Sequence, residues 1–138
     1  MKEKKISIKA IILGNVADIL GTNLTMIPLL VYIASIHGVS SLQMGQLNNI
    51  LSTGSVHYTS LFLGGTMSIF GGYVAARVAK FKEYLHGALS ALLCVLSGVF
   101  GIFHGDGASL FSHFFYLVLS PTLGILGAYF YIKTRGKK

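Results

Sequence analysis

The sequence predicts an all-α protein: one domain, residues 1–138, folded as a four-helix transmembrane bundle with both termini on the cytoplasmic side. Of the 138 residues, 53% are hydrophobic and only 11% are charged, and the mean hydropathy is +0.70. A soluble domain carries about a quarter of its residues as charged side chains. The chain has too few polar side chains to cover a water-soluble body, so the lipid bilayer is its expected solvent.

The basic residues predict the topology. All 11 lie in three clusters, one at each end of the chain and one in the middle, and the two long intervals between the clusters hold none. Basic residues are retained on the cytoplasmic side of a membrane, so this pattern predicts an even number of crossings. The clusters are Lys2, Lys4, Lys5 and Lys9; Arg77, Lys80 and Lys82; and Lys133, Arg135, Lys137 and Lys138.

The net charge of +7 is explained by the same clusters. Basic residues at membrane flanks set topology and attract anionic lipid headgroups. A nucleic-acid-binding surface would need basic and aromatic residues interleaved outside the membrane flanks, and the sequence has none. We therefore expect no nucleic-acid partner.

The first span is expected at about residues 10–36. A helix needs about 20 residues to cross the bilayer core, so this span is long enough to tilt or bend. Pro28 has no N–H to donate to the carbonyl of Leu24, which predicts a kink. The basic start resembles a signal peptide, but Asn15 and Asp18 interrupt the apolar run and no cleavage site follows convincingly. The segment is therefore interpreted as a retained span.

Three further spans are expected at about residues 57–79, 85–103 and 110–131. Each apolar run is far longer than the ten or so alternating residues of a membrane β-strand. The uncharged outer segment 37–56 fits a short surface helix, a shallow re-entrant segment or a plain loop. Between the later spans lie a basic turn, 80–84, and a turn at 104–109 that contains Gly105, Asp106 and Gly107.

Small residues recur at steps of three and four in the second and third spans. Lipid tails are as apolar as leucine, so membrane helices associate through close backbone contact, which small residues permit. A short turn makes these two spans antiparallel neighbours, and we expect their small residues to face each other or to join protomers. A pore lining is the less favoured alternative. The packing residues are Gly64, Ser68 and Gly72 in the second span, and Gly87, Ser90, Cys94, Ser97 and Gly101 in the third.

Asp18 is the strongest candidate for a functional residue. It lies about nine residues past Lys9, roughly 13 Å along the helix and inside the hydrocarbon. An ionised carboxylate there must face protein or water, or find a partner, and otherwise stays protonated. Two interpretations remain: a structural anchor, or a proton- or ion-binding site for transport. Asn15, Thr22 and Thr25 share its helix face, and Arg77 is a candidate ion-pair partner.

Other chemistry finds little support in the sequence. Four of the five histidines, His37, His57, His104 and His113, fall near the outer face and His86 near the inner one, without HxH or HxxxH spacing. Interfacial histidines are ordinarily hydrated, so we expect no metal site and no cofactor. A single cysteine excludes an intrachain disulfide. Without a nucleophile elbow or a phosphate-binding loop, an enzyme is not expected.

Two segments resemble small uncharacterised bacterial membrane proteins. GGYVAARVAKFKEYLHGALSALL, residues 71–93, is similar to their Gly-Gly-aromatic-x-Ala-Ala-Arg helix end followed by a basic turn and Leu-His-Gly. KAIILGNVADILGT, residues 9–22, resembles their opening segment, which often places an Asp in the first span. The resemblance covers about a third of the chain. It implies a multi-pass protein of the bacterial plasma membrane, and it implies no activity.

Two functions follow as hypotheses. The first is an accessory or structural subunit of a membrane assembly, either homo-oligomeric or bound to a larger membrane protein. It rests on the small-residue packing and on the lack of extramembrane domains. The alternative is a small proton- or ion-coupled transporter or channel that uses Asp18. Solvent access to Asp18 discriminates between them.

Overall fold

The computed structural model describes residues 6–37, 54–102 and 110–136, and these form four helices without a strand among them. We name the helices α1 to α4 in chain order. This architecture confirms the all-α helical bundle. Three segments are long and apolar enough to cross a membrane, 8–33, 54–79 and 117–135, and a shorter apolar helix covers 83–96. The four helices are α1, Ile8–His37; α2, Gly54–Ala79; α3, Glu83–Ile102; and α4, Leu110–Arg135.

The helices lie where the four spans are predicted, to within a few residues. Pro28 lies inside α1 without ending the helix, and Pro121 lies inside α4 in the same way. Most of the predicted outer segment, and all of the turn at 104–109, lie outside the described residues. The last three residues of the outer segment, 54–56, belong to α2.

A tight turn joins α2 to α3. Lys80 and Lys82 both have positive φ, 57° and 44°, which lie in the left-handed region. The backbone N–H of Lys80 donates to the carbonyl of Ala76 at 3.0 Å, which ends α2. The carbonyl of Lys82 accepts from the N–H of His86 at 3.2 Å as α3 begins. The chain thus reverses within three residues, and α2 and α3 are antiparallel.

The helices pack as a diamond. The central helices α2 and α3 contact each other, and each contacts both α1 and α4, whereas α1 and α4 do not meet in the described part of the chain. The start of α1 and the end of α4 lie beside the α2–α3 turn, because Ser7 bonds His86 and Arg135 pairs with Glu83. We call this the basic end of the bundle.

The small residues of α2 and α3 face the outer helices, which corrects the expectation that they face each other. A Cβ at Gly71 would lie 2.7 Å from the carbonyl oxygen of Gly14 in α1. Gly72 and Gly87 both pack against the backbone of Gly124 in α4. The reason is that neighbouring residues of a helix point about 100° apart. The adjacent pair Gly71 and Gly72 therefore contacts two different helices.

The other predicted packing residues differ in how closely they approach a neighbouring helix. A Cβ at Gly64 would meet no atom within 4 Å, so no helix approaches closely there in the described structure. Ser90 is buried against α1, where its Cβ lies close to Gly14. The side chains of Ser97 and Gly101 lie outside the described part of the structure. In α4, Gly124 and Gly127 also make close backbone contacts, which agrees with the short row of small residues that the sequence places in the fourth span.

Candidate functional site

Asp18 lies where α1 and α2 approach each other closely. Its side chain is only 2% exposed. A Cβ at Gly71 would lie 2.8 Å from the Cβ of Asp18, so only glycine allows α2 to come this near. Asp18 is the one acidic residue buried among the described residues. The absence of a side chain on α2 therefore encloses the carboxyl group.

Three side chains from three helices contact this carboxyl group. The hydroxyl of Ser68 in α2 donates to Oδ2 at 3.0 Å, and the hydroxyl of Thr22 in α1 donates to Oδ1 at 3.5 Å. The thiol of Cys94 in α3 also hydrogen-bonds Asp18. We call these four residues the Asp18 cluster. It joins α1, α2 and α3 through one carboxyl group.

The predicted pairing of Arg77 with Asp18 is not found. Arg77 is exposed, and neither residue makes an ion pair with the other in the described structure. The distance along the helix explains this. Arg77 lies nine residues beyond Ser68, which is roughly 13 Å along α2 toward the basic end. An arginine side chain that reaches water at that level does not turn back to the cluster.

Asn15 and Thr25 share the predicted polar face but do not join the cluster. The Asn15 amide donates to the carbonyl of Ser90 in α3 at 3.2 Å, so it ties α1 to α3 one turn closer to the basic end. The Thr25 hydroxyl donates to its own helix, to the carbonyls of Gly21 at 2.9 Å and Thr22 at 3.0 Å. On the predicted polar face, Asn15 therefore bonds a neighbouring helix, whereas Thr25 bonds only its own helix.

His86 was expected to be hydrated and is instead fully buried, at 0% exposure. Its Nε2 accepts from the backbone N–H of Ser7 at 2.9 Å, and its Nδ1 lies 3.0 Å from the carbonyl of Lys82. One ring nitrogen must accept and the other must donate, so this geometry requires the neutral ring with the proton on Nδ1. The Phe81 ring packs edge-on at 5.1 Å.

The sequence contains a signal that His86 is buried, although its position near the membrane interface favoured hydration. His86 lies four residues before Ser90, so the two share one helix face. It therefore extends the row of α3 residues that was predicted to pack against other helices. Its bond to Ser7 caps the start of α1, where helices leave backbone N–H groups without partners.

The remaining histidines form no site in the described structure. His57 is exposed and lies 6.0 Å, ring to ring, from Tyr58. His37, His104, His113 and Asp106 fall outside the described side chains. Among the residues that are described, no three His, Cys, Asp or Glu side chains lie close enough to hold a metal ion.

Comparison of the chain with protein-family models, with curated proteins and with solved structures gives no match. A buried carboxyl group with two hydroxyl groups and a thiol can tie helices together, and it can bind a proton or a hard cation. Within the described cluster no imidazole stands beside the thiol or the hydroxyls to activate a nucleophile.

Proposed function

We propose that this chain is a structural or accessory subunit of a membrane assembly rather than an enzyme. In this proposal all four helices cross the bacterial plasma membrane and the basic end lies in the cytoplasm, as the positive-inside rule favours. The observation that supports it is the enclosure of Asp18, which is 2% exposed and bonded to groups of three helices. An acid bonded in this way ties three helices together.

The outer surface supports the same proposal. Large apolar side chains of α1 point away from the bundle, and Leu24 is 74% exposed. In a membrane such a surface is covered by lipid or by the helices of another protein, and the latter associate through close packing. We propose that the bundle meets a second copy of itself or a larger membrane protein.

Transport is the second candidate, and one observation favours it. No cationic side chain lies within ion-pair distance of Asp18 in the described structure, although a buried carboxylate is costly without one. Ionisable groups placed in this way line proton and ion pathways in many membrane proteins. In this second proposal, Asp18 binds and releases a proton or a cation during the transport cycle.

Carbodiimide labelling of Asp18 in native membranes separates the two functions. Carbodiimides modify carboxyl groups that the reagent can reach, and peptide mapping locates the product. The structural proposal expects no label on Asp18 between pH 5 and 9. Asp18→Asn serves as the blank, and Glu83, whose side chain is 20% exposed at the basic end, serves as the positive control. Labelling of Asp18 to the extent of Glu83 would favour the transporter.

The assembly itself needs a separate measurement. Chemical crosslinking in membranes, followed by native mass determination in mild detergent, reports whether the chain is oligomeric or bound to another protein. The proposal expects a defined complex of fixed composition. A chain that remains monomeric and uncrosslinked at its natural abundance would contradict the subunit function. Flux into proteoliposomes, lost in Asp18→Asn, would then support transport.

A further inference from the structure

The Asp18 cluster carries the ligand types that bind a hard cation. We propose that the carboxylate of Asp18 and the hydroxyl oxygens of Thr22 and Ser68 bind one monovalent cation, with Na⁺ as the ion to test. The site lies between α1 and α2, and the ion fastens the two helices together. This inference holds for either proposed function, because it concerns what occupies the cluster and not what the protein does.

The charge of the cluster leads to this inference. When Asp18 is ionised, the hydroxyl and thiol groups that donate hydrogen bonds to it leave its single negative charge in place. An isolated charge enclosed by protein within a bilayer is strongly unfavourable. One monovalent cation makes the cluster neutral, whereas a divalent ion would leave a net positive charge in the same enclosed position.

The spacing of the oxygen atoms is compatible with a shared ion. Oxygen ligands lie about 2.3 to 2.6 Å from a hard cation of this size, so two ligands at a right angle are roughly 3.5 Å apart. The Thr22 hydroxyl lies 3.5 Å from Oδ1, which is long for a hydrogen bond between oxygens. The Ser68 hydroxyl lies 3.0 Å from Oδ2. Both distances are therefore close to the separation of neighbouring oxygen ligands around such an ion.

When the ion binds, a hydroxyl group of the cluster can donate its hydrogen bond to a backbone carbonyl of its own helix. Serine and threonine hydroxyls in helices can donate to the carbonyl four residues earlier. In α2, Ser60 donates in this way to Val56 at 2.9 Å and Thr66 to Phe62 at 2.8 Å. Ser68 can do the same toward Gly64. Its hydroxyl proton then has an acceptor within α2, and the hydroxyl oxygen is available to the cation.

Cys94 distinguishes a hard ion from a soft one. Thiolate ligands select zinc or copper(I), whereas oxygen ligands suit hard cations. Replacing Cys94 by serine exchanges sulfur for oxygen at the same place. The proposal therefore expects Cys94→Ser to keep the response to Na⁺ or to increase it, and loss of that response would contradict a site built from oxygen ligands.

The test is the thermal unfolding of the purified full-length protein in detergent. NaCl replaces choline chloride at constant ionic strength, so only the identity of the cation changes. An ion that binds the folded state raises the unfolding midpoint as its concentration increases. We expect a rise of roughly 5 to 10 °C at saturating Na⁺ for a chain of this length. Asp18→Asn should show no such rise.

A matched pair of variants tests the ligand set without removing the acid. Thr22→Val removes a hydroxyl of the cluster, and we expect it to raise the Na⁺ concentration at half effect about tenfold. Thr25→Val removes a hydroxyl that bonds only its own helix, so its response should equal that of the wild type. If Asp18→Asn does not fold, the comparison of Thr22→Val with Thr25→Val still tests whether the cluster binds Na⁺.

Three outcomes would overturn the proposal. Equal responses of the wild type and Asp18→Asn to NaCl would place the effect elsewhere in the protein. Equal responses to NaCl and choline chloride would indicate a general salt effect. Stabilisation by acidic pH alone, with no response to Na⁺, would show that a proton occupies the cluster. None of these results bears on the crosslinking test, so the two proposals can fail separately.

Discussion

The two outer helices are attached to the same central pair by different means. Helix α4 packs through glycine backbone, with Gly124 against Gly72 and Gly87. Among its described side chains, Ser120 donates to the carbonyl of Ala91 at 3.2 Å and Arg135 pairs with Glu83. Helix α1 also has a glycine contact, but it adds hydrogen bonds to α2 and α3. These bonds are made by Ser7, just before α1, and by Asn15 and Asp18 in the first half of α1.

The difference shows two ways in which helices associate in a membrane, where the hydrophobic effect does not drive them together. Backbone contact gains many small van der Waals terms and fixes the distance between helices. Hydrogen bonds between specific groups fix the rotation of a helix and its position along its axis, because a shift of one residue would separate the partners. Helix α4 is fixed mainly by distance, and α1 is fixed by distance and by register.

The largest effect should come from filling the α4 contact. In Gly124→Ala the new Cβ would overlap the carbonyl of Gly87 and lie 2.9 Å from the Cβ of Ala91. Backbone must move to make room, so we expect a loss of about 3 kcal/mol or more in the free energy of unfolding. Thermal unfolding in detergent measures it.

The matched control for that change is Gly64→Ala. No atom lies within 4 Å of the position that this Cβ would take. Alanine favours a helix over glycine by about 1 kcal/mol, so this variant should be as stable as the wild type or slightly more stable. Equal destabilisation by both changes would mean that the α4 contact is not as close as described.

The next effect should come from His86→Phe, which attacks the bond at the start of α1. Phenylalanine leaves the N–H of Ser7 without its acceptor in a buried place, and we expect a cost of about 1 to 3 kcal/mol. Hydrogen exchange should quicken at residues 7–11 and remain slow in α4. His57→Phe, at an exposed position, is the control. Unchanged exchange at residues 7–11 would show that His86 does not hold this end.

Asn15→Leu tests the middle bond of α1. The change removes the hydrogen bond to the carbonyl of Ser90, and we expect a loss of about 1 kcal/mol in unfolding free energy. Asn23→Leu is the matched control, because Asn23 is exposed and donates only to Ile19 of its own helix at 2.8 Å. If the two variants have the same stability, register is not set by Asn15.

The smallest effect should follow Glu83→Gln at the start of α3, which removes the ion pair with Arg135 at the end of α4. Arg135 pairs with Glu83 at 3.6 Å, and the arginine side chain is 59% exposed. Exposed ion pairs contribute no more than about 1 kcal/mol and weaken with salt. We expect a loss below that value at low salt and none in 0.5 M NaCl. A larger loss that persists in salt would show that α4 also depends on a polar bond.

The sequence was sufficient to predict the helices because long apolar runs and clustered charges are local signals. Asp18 was also recognised from its depth alone. Thr22 was recognised as a neighbour on the same helix face, and it does bond Asp18. Ser68 was not recognised as a partner, since Arg77 seemed the natural counter-charge and only the packing of α2 shows that Ser68 is nearer. Gly124 lies in a short row of small residues in α4, with Ser120 and Gly127, and this row indicates packing but not the packing partner. Its neighbours Gly72 and Gly87 come from two distant segments, and no pattern within α4 reveals that both converge on it.

The α2–α3 turn has a consequence for how the chain balances charge against conformation. An L-residue in the left-handed region costs roughly 1 to 2 kcal/mol, and glycine adopts it almost freely. Lys80 and Lys82 both take this conformation. A turn selected for stability alone would place glycine at both positions. This protein has a lysine at each position instead, so the positive charge at the basic end comes with a conformational cost in the turn.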